Sequence, residues 1–120
     1  MEKNVEISLL LDFYGELLSE KQRTAAEMYY DDDLSLSEIA EYVGISRQGV
    51  RDSIKRSEAM LFDMEQKLGL AAKFKSMNEG LERIKENAEK IGTFNSKIMR
   101  SIDVQNWAKE IVRIADDLEN

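Results

Sequence analysis

The fold of this chain is decided by residues 35–57, which read SLSEIAEYVGISRQGVRDSIKRS. Ser35 followed by Glu38 predicts a capping box, because a serine hydroxyl and a glutamate side chain at this spacing satisfy the free N–H groups that begin a helix. Gly44 predicts a turn, since glycine adopts the left-handed backbone conformation without steric cost. Ser46 then predicts the cap of a second helix. Two helices joined by such a turn are typical of a helix-turn-helix motif.

The helix that begins after Ser46 is predicted to have an apolar face and a cationic face. At about 100° per residue, the stripe that turns inward consists of Val50, Ile54, Ser57, Leu61, Met64 and Leu68. Between Ser46 and Ser57, four cations and one carboxylate give a net charge of +3 within a chain whose net charge is −7. Cationic charge is therefore concentrated where a recognition helix needs it.

The outward residues of this helix predict a contact with DNA. Arginine and lysine neutralise phosphates, and Gln48 or Arg51 can form paired hydrogen bonds with base edges in the major groove. The residues that we expect to contact DNA are Arg47, Gln48, Arg51, Lys55 and Arg56. The charge pattern alone fits the solvated side of an amphipathic helix equally well, and the two caps and the Gly44 turn favour a DNA-binding motif.

The composition limits the chemistry that the chain can perform. Its 120 residues include no His, no Cys and no Pro, which excludes the common zinc sites, a thiol nucleophile and a catalytic triad that uses imidazole. We expect a protein that is not an enzyme and that holds no cofactor or metal. The acidic run at residues 31–33 is interpreted as a solvated turn, because the ligand pattern of a calcium loop does not follow it. No leader peptide and no apolar run of roughly 18 residues is found, so we expect a cytoplasmic protein.

The remaining segments have helical periodicity, which predicts an all-α fold of five or six helices. A first helix over residues 4–18 has two apolar stripes, and a second, capped by Ser19 and Gln22, extends to Tyr30. One long helix that ends at Gly92 is predicted from the seam Leu70, Phe74, Met77, Leu81, Ile84, Ala88 and Ile91. A last helix over residues 103–118 is predicted to bury Val104, Trp107, Ala108, Ile111, Ile114, Ala115 and Leu118.

Apolar seams of this length need a partner, because an uncovered stripe leaves apolar area in water at about 25 cal/mol per Å². The partner is another helix of the same chain, which gives a monomeric bundle, or a second subunit. We therefore predict a helix-turn-helix domain over residues 1–68 and a C-terminal helical extension over residues 69–120 that packs on it or on a second subunit. We expect a homodimer through the first helix or the C-terminal helices, with its recognition helices on half-sites about one DNA turn apart.

Three stretches resemble region four of bacterial sigma factors, in which the helix equivalent to the one from Ser46 enters the major groove. They are LSEKQR at residues 18–23, SLSEIAE at 35–41 and GISRQGV at 44–50. The wider pattern over residues 18–68 more closely resembles the small YlxM-like helix-turn-helix proteins of Gram-positive bacteria. This resemblance implies a DNA-binding regulatory protein connected with the signal recognition particle pathway, because family members are encoded beside components of that particle.

One position departs from the sigma-factor pattern. Ser53 stands where sigma region four has an apolar residue, and Ile54 is predicted to point inward instead. The resemblance therefore carries over only a groove-facing role for Arg47, Gln48, Arg51 and Lys55. Two functions stay open: a DNA-binding regulator, or a protein- or RNA-interaction adaptor of the signal recognition particle pathway without sequence-specific DNA binding. The acidic net charge favours the adaptor, because it repels phosphates.

Overall fold

The computed structural model describes residues 5–119, and within them it contains six α-helices and no β-strand. The helices are α1 (Val5–Tyr14), α2 (Glu20–Tyr30), α3 (Leu36–Val43), α4 (Arg47–Leu68), α5 (Leu70–Phe94) and α6 (Ile102–Glu119). A 3-10 turn, Gly15–Leu17, follows α1, and a π-helical turn, Asn95–Met99, follows α5. The predicted all-α helix-turn-helix class is confirmed; the expected helix start at Asn4 lies outside the described residues.

The chain forms two compact units that divide between Ala71 and Ala72. The N-terminal unit contains α1 to α4 and the first residues of α5. The C-terminal unit contains the remainder of α5 together with α6.

In the N-terminal unit, α2 and α3 begin at the capping boxes predicted from the sequence, and α3 ends at the predicted glycine turn. Ser19 and Gln22 form a capping box at the start of α2, and Ser35 and Glu38 form a second one at the start of α3. Gly44 ends α3 in the left-handed conformation, with φ at 76°. The sequence therefore determines the length of α3 and the direction in which the chain leaves it.

The core of the N-terminal unit forms around α4, which packs against α1, α2 and α3. Four members of the predicted inward stripe are buried, namely Val50, Ile54, Ser57 and Leu61. The prediction that Leu68 belongs to this stripe is wrong, since its side chain is 57% exposed. In the last turn of α4 it is Glu65, not Leu68, that reaches α1, where it bonds to Tyr14.

A buried tyrosine fixes the turn between α4 and α5. The hydroxyl of Tyr14 donates to Oε1 of Glu65 over 2.7 Å and accepts the N–H of Leu70 over 3.1 Å. The same Glu65 oxygen accepts the N–H of Ala71 over 3.0 Å. Gly69 permits the turn with φ at 63°. The two side chains thus satisfy N–H groups that the start of α5 would otherwise leave without an acceptor.

We expect Tyr14→Phe to lower the melting temperature of the N-terminal unit by roughly 4–8 °C, because Leu70 N–H and the Glu65 carboxylate each lose a partner. Burial, and then the hydrogen bond with Glu65, raises the pKa of the Tyr14 hydroxyl. The folded state therefore favours the protonated hydroxyl. Its stabilisation is complete below the ordinary tyrosine pKa of about 10 and is lost as the pH rises through the higher pKa of the folded state.

Thermal unfolding of the wild type and of Tyr14→Phe at about pH 8 and about pH 11 measures both effects. The wild type should lose more stability over this interval than the variant does, since the variant has no hydroxyl to ionise. Equal losses in the two proteins would contradict the role given to Tyr14.

The C-terminal unit is an antiparallel hairpin of α5 and α6. The prediction that the long helix ends at Gly92 is wrong, because α5 extends two residues farther, to Phe94. Gly92 faces α6, and a Cβ built on it would lie 3.7 Å from Cβ of Ala108. Helical structure continues through Phe94 into the π-helical turn. Asn95 is buried there and holds the connection, since its Nδ2 donates to the carbonyl of Ser101 over 2.6 Å and its Oδ1 accepts the Ser101 N–H over 2.9 Å.

The other end of the hairpin is held by charged groups. Nζ of Lys85 on α5 lies 2.6 Å from a carboxylate oxygen of Asp116 and 3.6 Å from one of Glu119, both on α6. The hydrogen bond with Asp116 raises the pKa of Lys85, so its ammonium group stays charged at neutral pH. Polar contacts therefore stabilise the hairpin at both ends. Asn95 makes them at the turn, and Lys85 makes them near the C-terminus of α6.

The hairpin buries small residues and exposes large ones. The prediction for α6 is wrong for four residues, because Ala108 and Ala115 are buried whereas the exposed residues include Trp107, Ile111, Ile114 and Leu118. The predicted seam of α5 behaves in the same way, with Ala88 buried and with exposed members that include Met77, Ile84 and Ile91. A pair of helices covers only one side of each helix, and in this hairpin the covered side carries alanines while the large side chains lie on an uncovered side.

Candidate nucleic-acid interface

α4 begins directly after the turn that follows α3. Ser46 caps it, since its Oγ accepts the N–H of Gly49 over 2.9 Å. On the inner side, Val50 and Ile54 are fully buried in one cluster with Ile39 of α3. Because these three residues fix the rotation of α4, the opposite side of its first three turns faces solvent.

The structure places all five residues predicted to contact DNA at the surface of α4, namely Arg47, Gln48, Arg51, Lys55 and Arg56. Arg47, Arg51 and Lys55 are four positions apart, so each is turned by about 40° from the one before. These three side chains form one line along the helix, called here the cationic row. Arg56 lies farther round the helix, about 100° from Lys55.

Within residues 5–119, the cations of this surface form no ion pairs with the protein's own acids. Among residues 5–119, no carboxylate lies within 4.0 Å of a side-chain nitrogen of Arg47, Arg51, Lys55 or Arg56. By contrast, Arg23 on α2 pairs with Glu27 over 2.6 Å. A paired cation has to release its carboxylate before it can bind a phosphate, whereas the cationic row has no such pair to break in the part of the chain that the structure describes.

Gln48 and Asp52 complicate the reading of bases. Nε2 of Gln48 donates to Oδ1 of Asp52 over 3.0 Å, and both residues are exposed. Gln48 therefore has to exchange this bond if its amide is to contact a base, and the negative charge of Asp52 opposes a phosphate near the centre of the surface. The residues of α4 that can contact phosphates are therefore the cations on either side of Asp52.

Sequence reasoning missed a cleft beside the helix-turn-helix turn. It has a volume of about 410 Å³ and is lined by Glu20, Lys21, Thr24, Ala25, Val43, Ile45 and Ser53. Ser53 thus lines the cleft while Ile54 fills the core, which explains how a serine is accommodated where the sigma-factor pattern has an apolar residue. No periodic pattern pointed to Lys21 or Thr24, because the cleft depends on how α2 approaches the turn.

Within residues 5–119, no group of three or more acidic side chains is arranged to hold a metal ion. No helix in the described part of the chain combines the length and the apolar character that crossing a bilayer requires.

Comparison with known proteins places the chain in a family. Residues 1–101 match the UPF0122 family profile, described as "Putative helix-turn-helix protein, YlxM / p13 like". A UPF0122 protein of Halalkalibacterium halodurans is 50% identical over 93 residues, covering 78% of this chain and 85% of that protein. A UPF0122 protein of Acetivibrio thermocellus is 43% identical over 120 residues, which cover 99% of this chain and 92% of that protein. A UPF0122 protein of Clostridium kluyveri is 42% identical over 111 residues, which cover 85% of this chain and 100% of that protein. The chain therefore belongs to the UPF0122 family of YlxM-like helix-turn-helix proteins.

Proposed function

We propose that this protein is a cytoplasmic DNA-binding regulator that uses α4 as its recognition helix. The observation that carries the proposal is the cationic row, which is exposed, free of intramolecular ion pairs within residues 5–119, and located at the start of the second helix of a helix-turn-helix motif. In such motifs, the first turns of the second helix are the part that meets base edges. Family membership supports the proposal, since the family description names a helix-turn-helix protein.

The proposed contacts divide into two kinds. Arg47, Arg51, Lys55 and Arg56 bind phosphates or guanine edges, and they supply most of the affinity because contacts with phosphates release counterions. Gln48 supplies sequence preference, since a glutamine amide forms paired hydrogen bonds with adenine in the major groove. The exchange of the Gln48–Asp52 bond lowers the gain from this contact. We therefore expect affinity to depend mainly on the cations and sequence preference to be modest.

Selection of bound fragments from a genomic DNA library at physiological salt tests this function. The proposal predicts enrichment of a limited set of fragments that share a short sequence pattern. A matched selection with Gln48→Ala should retain fragments but weaken that pattern, because the phosphate contacts remain. Recovery of no DNA above the level of an unrelated acidic protein would contradict the proposal.

A second candidate function is a protein- or RNA-interaction adaptor of the signal recognition particle pathway. The observation that favours it is the exposed apolar side of the C-terminal hairpin, which includes Trp107 and Leu118, since exposed apolar patches mark interaction surfaces. The link to this pathway itself rests on the resemblance to YlxM-like proteins. Binding to purified targeting-particle components that survives alanine substitution of the cationic row would favour the adaptor.

A further inference from the structure

The C-terminal hairpin has one continuous apolar face. This face consists of large apolar side chains on one side of the hairpin, each at least 39% exposed, namely Met77, Ile84, Ile91, Ile98, Trp107, Ile111, Ile114 and Leu118. We call this set the hairpin face. On α5, Ile84 and Ile91 directly precede Lys85 and Gly92, which point at α6. On α6, Trp107 and Ile114 directly precede the buried Ala108 and Ala115.

This spacing puts both stripes on the same side of the hairpin. Successive residues of a helix point in directions that differ by about 100°. When two helices are antiparallel, the residues that directly precede the contacting ones therefore point to the same side of the pair. The opposite side is polar and exposed, with Glu86 and Glu89 on α5 and with Asn106 and Lys109 on α6. The hairpin is therefore amphipathic as a whole, and one of its two broad sides lacks a cover within the C-terminal unit.

The size of the hairpin face fits a protein interface. Eight large side chains, each about half exposed, leave roughly 800 Å² of mainly apolar surface in water if each has about 200 Å² in total. Each partner in a standard protein–protein interface buries about 800 Å². The face is thus large enough for one stable interface without a contribution from any other surface.

Charges along the outer edges of the hairpin indicate what covers this face. On the α5 edge, Arg83 and Lys90 lie seven positions apart, and on the α6 edge Asp103, Glu110 and Asp117 have the same spacing. Residues seven apart point in directions that differ by only about 20°. Glu79 and Glu86, also seven positions apart, lie about 40° from Arg83 and Lys90, on the side away from the hairpin face. The row next to the hairpin face is therefore basic on α5 and acidic on α6. Arg113 pairs with Glu110 and Asp117 over 3.4 and 3.2 Å, but these pairs are exposed and so weakly held.

We propose that a second copy of this chain covers the hairpin face, giving an antiparallel four-helix bundle in which α5 of each copy lies opposite α6 of the other. In this arrangement the basic edge of each α5 borders the acidic edge of the partner copy's α6. The twofold axis runs along the bundle, and each interface is the same patch on both copies, as closed dimers require. In the alternative dimer, in which α5 of one copy lies opposite α5 of the other, basic edges would face basic edges and acidic edges would face acidic edges.

The first helix is the weaker candidate for this contact. Of the second apolar stripe of α1, Val5 and Leu9 are exposed whereas Phe13 packs against the core of the N-terminal unit. Two exposed side chains cover far less area than the hairpin face does. The dimer proposal depends on no DNA contact and stands independently of the proposed function.

The first test compares two substitutions at adjacent positions of the full-length chain. Trp107→Glu places a charge in the hairpin face, whereas Asn106→Glu places the same charge on the polar side. Both residues are exposed, so neither change should unfold the hairpin, and circular dichroism confirms that. Sedimentation equilibrium should give twice the 13.8 kDa chain mass for the wild type and Asn106→Glu. Trp107→Glu should dimerise about 100-fold more weakly. A monomeric wild type, or equal dimerisation of the two variants, would overturn the proposal.

The second test determines which helices face each other. Arg83→Glu with Lys90→Glu makes the α5 edge acidic, and Glu110→Lys with Asp117→Lys makes the α6 edge basic. Each double variant should dimerise about 10-fold more weakly than the wild type, because like charges then meet across the interface. Mixing the two variants should restore wild-type affinity in a heterodimer, which native mass spectrometry distinguishes by mass. If either double variant dimerises as tightly as the wild type, the placement of α5 opposite α6 is wrong.

Discussion

Replacing Arg47, Arg51 and Lys55 together with alanine will lower the affinity of this protein for DNA by about 100- to 1,000-fold at moderate salt. Each of these cations can form a charge-assisted hydrogen bond with a phosphate, and each such contact typically contributes about 1.5–3 kcal/mol before partial compensation. The three side chains are exposed and are not paired with carboxylates in the described part of the chain. Their removal therefore costs phosphate contacts without disturbing an internal ion pair.

The salt dependence of binding identifies the cause of that loss. The slope of log affinity against log salt concentration should decrease by about 0.9 for each phosphate contact removed, so by roughly 2.7 for three. Fluorescence anisotropy of a labelled duplex between about 50 and 200 mM salt measures both the affinity and the slope.

A matched control removes the same charge elsewhere. Lys73, Lys75 and Lys109 are exposed residues of the C-terminal unit, and their replacement by alanine changes the net charge of the chain by the same amount. This variant should keep most of the affinity, since long-range charge contributes less than direct contacts at these salt concentrations. If the two triple variants lose equal affinity, DNA binding depends on net charge and not on α4.

Ile54→Ala will lower the free energy of unfolding of the N-terminal unit by about 2–5 kcal/mol, because it leaves a cavity in a packed core. Ile54 is fully buried in the cluster that includes Ile39 and Val50. A loss of this size is a large share of the about 5–15 kcal/mol that stabilises a typical domain. Urea unfolding followed by circular dichroism measures it.

Ser53→Ala is the control for this change, because Ser53 occupies the neighbouring position but lines the cleft. It should alter the free energy of unfolding by less than about 0.5 kcal/mol. A larger loss from Ser53→Ala than from Ile54→Ala would mean that α4 is rotated, with the position used in the sigma-factor pattern turned inward. The cationic row would then no longer face solvent as described.

The local features of the N-terminal unit could be predicted from the sequence because they depend on residues close together in the chain. The Ser35 and Glu38 capping box and the Gly44 turn arise from hydrogen bonds and backbone preferences within a few positions. The rotation of α4 about its axis follows from its periodicity. Its apolar residues, Val50 and Ile54 among them, lie on one side of the helix, and that side has to face the core. Exposure of the cationic row is the direct consequence of that rotation.

The features that the sequence did not reveal depend on contacts between distant segments. Tyr14 looks like one more apolar residue of α1, and only the fold brings its hydroxyl to Glu65, 51 positions away. Gly92 looks like a helix terminator, but it lies inside α5 and faces Ala108 of α6. The seam of α5 indicates that a partner is needed without saying which, so the exposure of Ile84 and Trp107 could not be foreseen.

The central claim, that the outward side of α4 binds DNA, is tested most directly by following backbone amide resonances during a titration with a duplex selected from the genomic library. The claim predicts that shift changes concentrate between Ser46 and Arg56, with the largest at Arg47, Gln48 and Arg51. Changes confined to the C-terminal hairpin, or no changes at duplex concentrations up to about 100 μM, which is the nonspecific range of dissociation constants, would contradict it.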